Sequence, residues 1–351
     1  MRDFIFVAFA MLFMFSCGGP VDRHSLLPGA VGASGDIVVV MDKPHWESLP
    51  GEAVREAFGR SYDLLPQPEG VLSIQFITHS EFDRFWKPHR NVLFCDLEDR
   101  IDTKEPSLTL IRQKYAKGQI YAHVKAKNYS GFVKTFNEHA ENIIATIEQA
   151  ELKRIAQLNY QYKNEGLMNK IEQERGFSIV VPRDADLKVN RDDFVWIDRQ
   201  MTRMKGGRNH DIQQGLFIYT TPYTTDSMFS ASYLLSRRDS VLKANVPGTQ
   251  PGSYMATEYR YYPTYEELGY KGAFAAEIKG LWRMEGEFMG GPFFSMTLLH
   301  PKTKDLVTVG GYAYAPYFNK REYIREVEAI VKTIDFEPNK SNGKAGTSKK
   351  K

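Results

Sequence analysis

Only two cysteines, Cys17 and Cys95, occur in 351 residues. That excludes a disulfide scaffold and any zinc site built on several thiolates. The longest apolar run, residues 4–16, falls short of the roughly 20 residues that span a bilayer core. Charge of one sign is also lacking. The formal net charge is +3, and residues 340–351 hold five lysines and no acid, so the rest of the chain is slightly negative. Nucleic-acid binding needs a clustered positive surface that displaces counterions. The balance supplies none, so no nucleic-acid partner is expected. Most catalytic signatures are missing too: HExxH, CxxC, Gly-x-Ser-x-Gly, a Walker loop and GxGxxG. The 25% charged and 42% hydrophobic residues make an ordinary globular mix, with length enough for two domains.

What is present begins at the N-terminus. Residues 4–16 read Phe-Ile-Phe-Val-Ala-Phe-Ala-Met-Leu-Phe-Met-Phe-Ser, the length of a secretory h-region. Cys17 follows in Met14-Phe15-Ser16-Cys17-Gly18-Gly19. This resembles a bacterial lipobox, with an apolar residue three before the cysteine, a small one just before it and glycine after. The resemblance implies cleavage before Cys17 and acylation of its thiol and new amine. Several acyl chains anchor a protein firmly, at about 0.8 kcal/mol per buried methylene. The membrane is therefore an expected partner, through the N-terminal lipid. Gly18–Gly35 holds five Gly and two Pro and is expected to be a flexible tether. In the Bacteroidetes lipoproteins that this start resembles, an acidic cluster after the cysteine marks surface export; Gly18, Gly19 and Pro20 stand there instead, so the resemblance implies the periplasmic face of the outer membrane.

Further along, the pattern predicts strands at 36–41, 71–78, 91–96, 107–114 and 119–125, and short helices over 52–58 and 81–86, the second capped by Ser80. One or two long helices follow between Asn128 and Glu174. The second half predicts strands at 177–182, 194–198, 215–220, 254–262, 273–284, 293–300 and 306–314. It also predicts a helix from Asp226 to about Lys243. A last helix begins at Asn319 with Glu322 as capping-box partner, placing Tyr323, Val327, Ile330, Val331 and Ile334 on one face. Both halves end in strand, turn, strand and Asn-capped helix, as a divergent duplication would. The expected fold class is α+β, with two antiparallel sheets and covering helices. The expected organisation is a lipoprotein signal over 1–16, a tether over 17–35, α+β domains over 36–175 and 176–337, and a disordered basic tail over 338–351.

The lipobox, Val180-Val181-Pro182-Arg183, Trp282 with Gly290-Gly291-Pro292-Phe293, and Ala315-Pro316 before Asn319-Lys320-Arg321 together resemble a family of Bacteroidetes lipoproteins known as a domain of unknown function. That resemblance implies no activity. The C-terminal half alone is similar in element order to PsbP-type domains, which implies a non-catalytic accessory or binding role.

No residue earns a catalytic assignment. Ser240-Val-Leu-Lys243 fits Ser-x-x-Lys without its Ser-Asp-Asn and Lys-Thr-Gly companions. The histidines are scattered, among them His79, His89 and His139, and none has metal-ligand spacing. Asp184, Asp186, Asn190 and Asp192 lack the glycine and glutamate of a calcium loop. Cys95 sits in an apolar strand and reads as a buried thiol. No metal or cofactor is expected.

Two constellations suit binding. Arg199, Arg203, Lys205 and Arg208 surround Gly206-Gly207 in an expected loop, where guanidinium groups and open backbone grip phosphate or carboxylate. Tyr254, Tyr259, Tyr261, Tyr262 and Tyr265 crowd one segment, and adjacent strand residues face opposite sides, so they do not all enter a core. Rings with hydroxyl tips suit peptide or glycan contact. The sequence thus favours a lipid-anchored envelope protein that binds an envelope protein or glycan without catalysis. The alternative is an envelope hydrolase acting on peptidoglycan or another glycan, with carboxylates such as Glu285 and Glu287.

Overall fold

The computed structural model describes residues 26–98 and 105–337. The expected signal peptide, Cys17 and the basic tail lie outside them. Among these residues, six α-helices and thirteen strands form two units of α+β class, each with its own sheet.

The first sheet contains β1 (Asp36–Val40), β2 (Ser73–Ile77), β3 (Asn91–Leu97), β4 (Ser107–Arg112) and β5 (Ile120–Ala126), in the order β2-β1-β3-β5-β4. Three of its four pairings are parallel, β1 with β2, β1 with β3, and β3 with β5; only β4 runs antiparallel. This differs from the antiparallel sheet expected here. The reason lies in the connections. After β1 come α1 (Lys43–Trp46) and α2 (Leu49–Gly59), and a helical crossover of that length lays the next strand parallel. Residues 78–90 then carry the chain to the other side of β1. They form a short 3₁₀ turn at His79–Glu81 rather than the helix expected over 81–86.

β5 leads into α3 (Tyr129–Gln161), capped by Asn128, whose Oδ1 accepts from Gly131 N at 2.8 Å. Phe132, Phe136, Ile143, Ile144 and Ile147 of α3 join Val54 and Phe58 of α2 over one face of the sheet. Among the described residues no α-helix packs on the other face. Val38, Val40, Val92 and Tyr121 there are covered by Phe82 and Trp86 of the 78–90 segment.

After α3, Asn164 caps α4 (Glu165–Arg175), and Gly176 ends it with φ +75°, a left-handed turn suited to glycine. The stretch expected as a strand at 177–182 is held by isolated bridges, Lys163 to Pro182 and Ser178 to Asp335, and by Val180 N–H donating to Thr333 Oγ1 at 2.9 Å. The second sheet is antiparallel throughout. Its strands are β6 (Asp186–Arg191), β7 (Phe194–Lys205), β8 (Arg208–Pro222), β9 (Tyr254–Thr257), β10 (Thr264–Tyr270), β11 (Ala273–Glu285), β12 (Gly290–Leu299) and β13 (Asp305–Tyr314). The order is β10-β11-β12-β13-β8-β7-β6, with β9 also on β11. α5 (Ala231–Asn245), capped by Ser230 rather than by Asp226, packs on one face. α4 and α6 (Arg321–Val331) pack on the other. The hairpin-then-helix endings, β4–β5 with α3 and β12–β13 with α6, are shared. The sheet topologies are not, so only the endings resemble each other.

The expected tether is also held from residue 29 on. Gly29 pairs with Lys117 and Val31 with His89, and Gly35 packs beside the guanidinium groups of Arg321 and Arg325. The units are joined through α6. Arg325, 1% exposed, reaches Val71 O and Glu148, and Tyr62 and Leu65 of the first unit pack against the second core.

Candidate functional site

In a sheet of parallel strands, ligands bind outside the carboxyl ends where strand order reverses. Here that point lies between β1 and β3, since the chain leaves β1 for β2 on one side and returns as β3 on the other. An open cleft of about 820 Å³ occupies it. Asp42 and His45 line it after β1, Leu97 and Glu98 at the end of β3, and Lys127 with the first residues of α3 after β5. His45 stands edge-on to Tyr129 of α3 at 5.6 Å.

A chain of four titratable groups runs from this cleft across the face that the 78–90 segment covers. Period-two alternation sets it up: Phe94, Asp96 and His123 share the face of Val38 and Val40, and Phe94 pairs with His123 in register. His79 Nδ1 lies 2.8 Å from Asp42 Oδ1, and its Nε2 lies 3.6 Å from Asp96 Oδ1. His123 Nε2 lies 2.6 Å from Asp96 Oδ2. The Phe94 ring stands edge-on to both imidazoles, at 5.0 and 5.4 Å. Thr78 fixes the approach of His79 through a capping box in which its backbone N–H donates to Glu81 at 2.7 Å. Burial opposes the charge on Asp96. The His123 hydrogen bond and the nearby His123, His79 and Lys125 groups outweigh it and hold the carboxyl below its ordinary range. The chain therefore keeps a fixed carboxylate between two imidazoles, with Asp42 the member that also faces the cleft. Among the described residues, no group of three or more His, Cys, Asp or Glu is arranged to hold a metal ion.

None of these residues was singled out for binding from sequence. Asp42 and Glu98 directly follow apolar strands, which is the available signal. It becomes informative only once the strands are known to be parallel.

The residues expected to bind lie on the second unit. The Arg199–His210 segment is not a loop but the arm of the β7–β8 hairpin, turning at Gly206 and Gly207. Its cations are engaged. Arg199 bridges Asp184 at 2.8 Å and Glu326 at 3.0 Å. Arg203 lies over the Tyr323 ring at 5.2 Å, and Lys205 donates to Tyr317 O at 2.6 Å. Arg208 is exposed at the tip. The tyrosines are five strand steps away, about 24 Å at 4.8 Å per strand, so the structure does not bring the two sets together. Lys243 lies over the Tyr254 ring at 4.7 Å, Tyr259 donates to Asp239 at 2.9 Å, and Tyr265 donates to Phe229 O at 2.8 Å. Tyr261 and Tyr262 are exposed, at 61% and 65%.

Residues 164–333 match the model of a family described as Domain of unknown function (DUF4837), and residues 30–160 match another, Domain of unknown function (DUF8532). Each unit matches a family of its own. The resemblance to a domain of unknown function therefore holds, divided between two families. No curated protein matches the chain. Among solved structures, a point mutant of protein Mog1 aligns at 8% identity and a TM-score of 0.27, over 46% of this chain and 90% of its own. A protein from Bacteroides thetaiotaomicron VPI-5482 aligns at 10% identity and a TM-score of 0.19, over 46% of this chain and 45% of its own.

Proposed function

We propose that the chain is a lipid-anchored cell-envelope protein, held through Cys17 on the periplasmic face of the outer membrane. In this reading its first unit binds a small polar ligand, a glycan or peptide fragment of the envelope, without turning it over. The cleft at the β1–β3 switch point carries the proposal. Its carboxylates Asp42 and Glu98 and the Lys127 ammonium offer both acceptors and a donor to hydroxyl, amine and carboxylate groups. General acid catalysis calls for a carboxyl raised toward neutrality beside the substrate. Among the described residues, the carboxyls that burial raises, Glu148 and Glu277, sit among Arg325, Lys279 and Lys332 of the interior. Asp96, beside the cleft, is pushed the other way. Exposed Tyr261 and Tyr262 offer a separate contact for a protein partner.

The test is calorimetric titration of the purified lipoprotein in detergent with muropeptides and envelope oligosaccharides. Saturable binding is expected, weakened at least tenfold by Asp42→Asn and by Lys127→Ala. New reducing ends in the same mixture would reverse the non-catalytic reading in favour of a hydrolase. Binding that ignores both substitutions would remove the cleft from it.

A further inference from the structure

The opposite edge of the first sheet has its own character. Between the β4–β5 turn and the second half of α3 lies a groove of about 390 Å³. Arg112, Lys153 and Arg154 line it with four glutamines, and none of its lining residues is a carboxylate. Arg154 is committed inward, to Glu151 at 2.7 Å, and Arg90 takes the other oxygen of that fully buried carboxylate at 2.8 Å. Arg112 and Lys153 point outward, and exposed Lys117 stands at the turn beside them. Gln113 opens this turn with φ +57°, a strained conformation for a side-chain-bearing residue, held by its N–H donating to Gln119 O at 2.9 Å.

This is also where the chain arrives from its N-terminus. Lys117 N donates to Pro28 O at 2.7 Å, and Ala30 N donates to Lys117 O at 3.2 Å. One residue later Val31 N donates to Pro88 O at 3.0 Å. Leu26, Val31 and Phe85 are exposed around that track, at 73%, 49% and 71%. From Leu26 back to Cys17 there are nine residue steps, which reach at most about 30 Å when fully extended. A lipid on Cys17 therefore holds the bilayer within that distance of this end of the sheet, where the described chain begins. The cleft opens at the far end of β5, about 20 Å away along a seven-residue strand.

We propose that the amino-terminal edge of the first sheet rests on the bilayer, with Arg112, Lys117 and Lys153 among anionic lipid headgroups and Leu26, Val31 and Phe85 at the interface. The inference rests on acylation of Cys17. Basic side chains beside an anionic surface are drawn to it within a Debye length, and apolar side chains settle at the headgroup boundary. The cleft then faces the periplasmic space rather than the membrane.

The test uses the native protein, purified from its host membrane and reconstituted into vesicles of phosphatidylcholine alone or with one quarter phosphatidylglycerol. Lysine acetylation rates are read by mass spectrometry, and the same spectra report the acyl state of Cys17. Lys117 and Lys153 are expected to label at least threefold more slowly on the anionic vesicles, with Lys188 and Lys302 unchanged. Acylated Cys17 with equal rates on both vesicles would overturn the docking surface and leave the anchor standing. Unmodified Cys17 with the same slowing would overturn the anchor and keep the surface. Equal slowing by 10 mM inorganic phosphate without vesicles would overturn the lipid surface in favour of a soluble anion.

Discussion

The carboxylate of Glu69 accepts the backbone N–H groups of Lys320 and Arg321, at 2.6 and 3.0 Å. A side chain of the first unit thus caps the last helix of the second. α6 has no side-chain cap of its own, and Glu322, expected in a capping box, instead pairs with Arg321 and Arg325. Loss of an N-cap costs about 0.5–2 kcal/mol, and here two donors are left buried beside a removed carboxylate. Glu69→Ala is expected to lower stability by about 2–3 kcal/mol in urea denaturation, with Glu69→Gln losing less. An unchanged midpoint in the alanine variant would show that the cap contributes nothing.

Asp96 gives the first unit an acid-sensitive contact. Its carboxyl titrates below the ordinary value of about 3.9 when folded. Linkage fixes the sign: the folded state holds this proton less tightly than the unfolded chain, so Asp96 contributes stability above about pH 4. That contribution is lost as pH falls through the depressed folded value. Asp96→Asn is expected to be less stable near neutrality and to flatten the stability profile between about pH 4 and pH 2. Parallel profiles for the two proteins would contradict the His123–Asp96–His79 arrangement.

Cys95 has no exposed surface, and burial with the neighbouring Asp96 charge pushes its thiol well above the usual range. Thiolate is the reactive form, so the native protein is expected to leave Cys95 unlabelled by an alkylating reagent over hours. Labelling read at the Cys95 peptide should rise with urea in step with loss of structure. Fast native labelling would mean that β3 opens far more readily than its position between β1 and β5 allows.

How much of this was legible depended on whether the signal was local. The apolar face of Tyr323, Val327, Ile330 and Val331 on α6, with Ile334 just past its end, was readable because helical periodicity is a nearest-turn property, and all five are buried. The burial of Cys95 was readable for the same reason. The parallel run of β1, β2 and β3 was not, since Val38 and Val92 look alike in either sense and direction is set by the connections over residues 41–72 and 78–90. With direction hidden, Asp42 and Glu98 had no reason to be grouped, nor His79 with His123. The basic segment Arg199–Arg208 misled in the opposite way. Its composition suggested a grip on anions, but Asp184 and Glu326, 15 and 127 residues from Arg199, already hold that guanidinium.

The approach of α6 to the second sheet is set by Gly311. A Cβ there would lie 2.4 Å from Gly215 O and 2.7 Å from Val327 Cγ1. The first contact is the backbone of the neighbouring strand β8 and does not yield, so β13 must shift there, and the second presses on α6 through Val327. Overpacking of this kind costs about 1–3 kcal/mol. Gly269→Ala is a suitable control, since a Cβ on that β10 glycine meets nothing within 4 Å and is expected to shift stability by no more than about 0.5 kcal/mol. Gly311→Ala should therefore lower the urea midpoint where Gly269→Ala does not. Because α6 also carries Arg321 and Arg325 to Gly70 O and Val71 O of the first unit, displacing it should loosen the joint as well. Hydrogen exchange would then quicken at Gly70–Ser73, on the far side of the interface from the substitution, and unaltered exchange there would mean that the joint tolerates movement of α6.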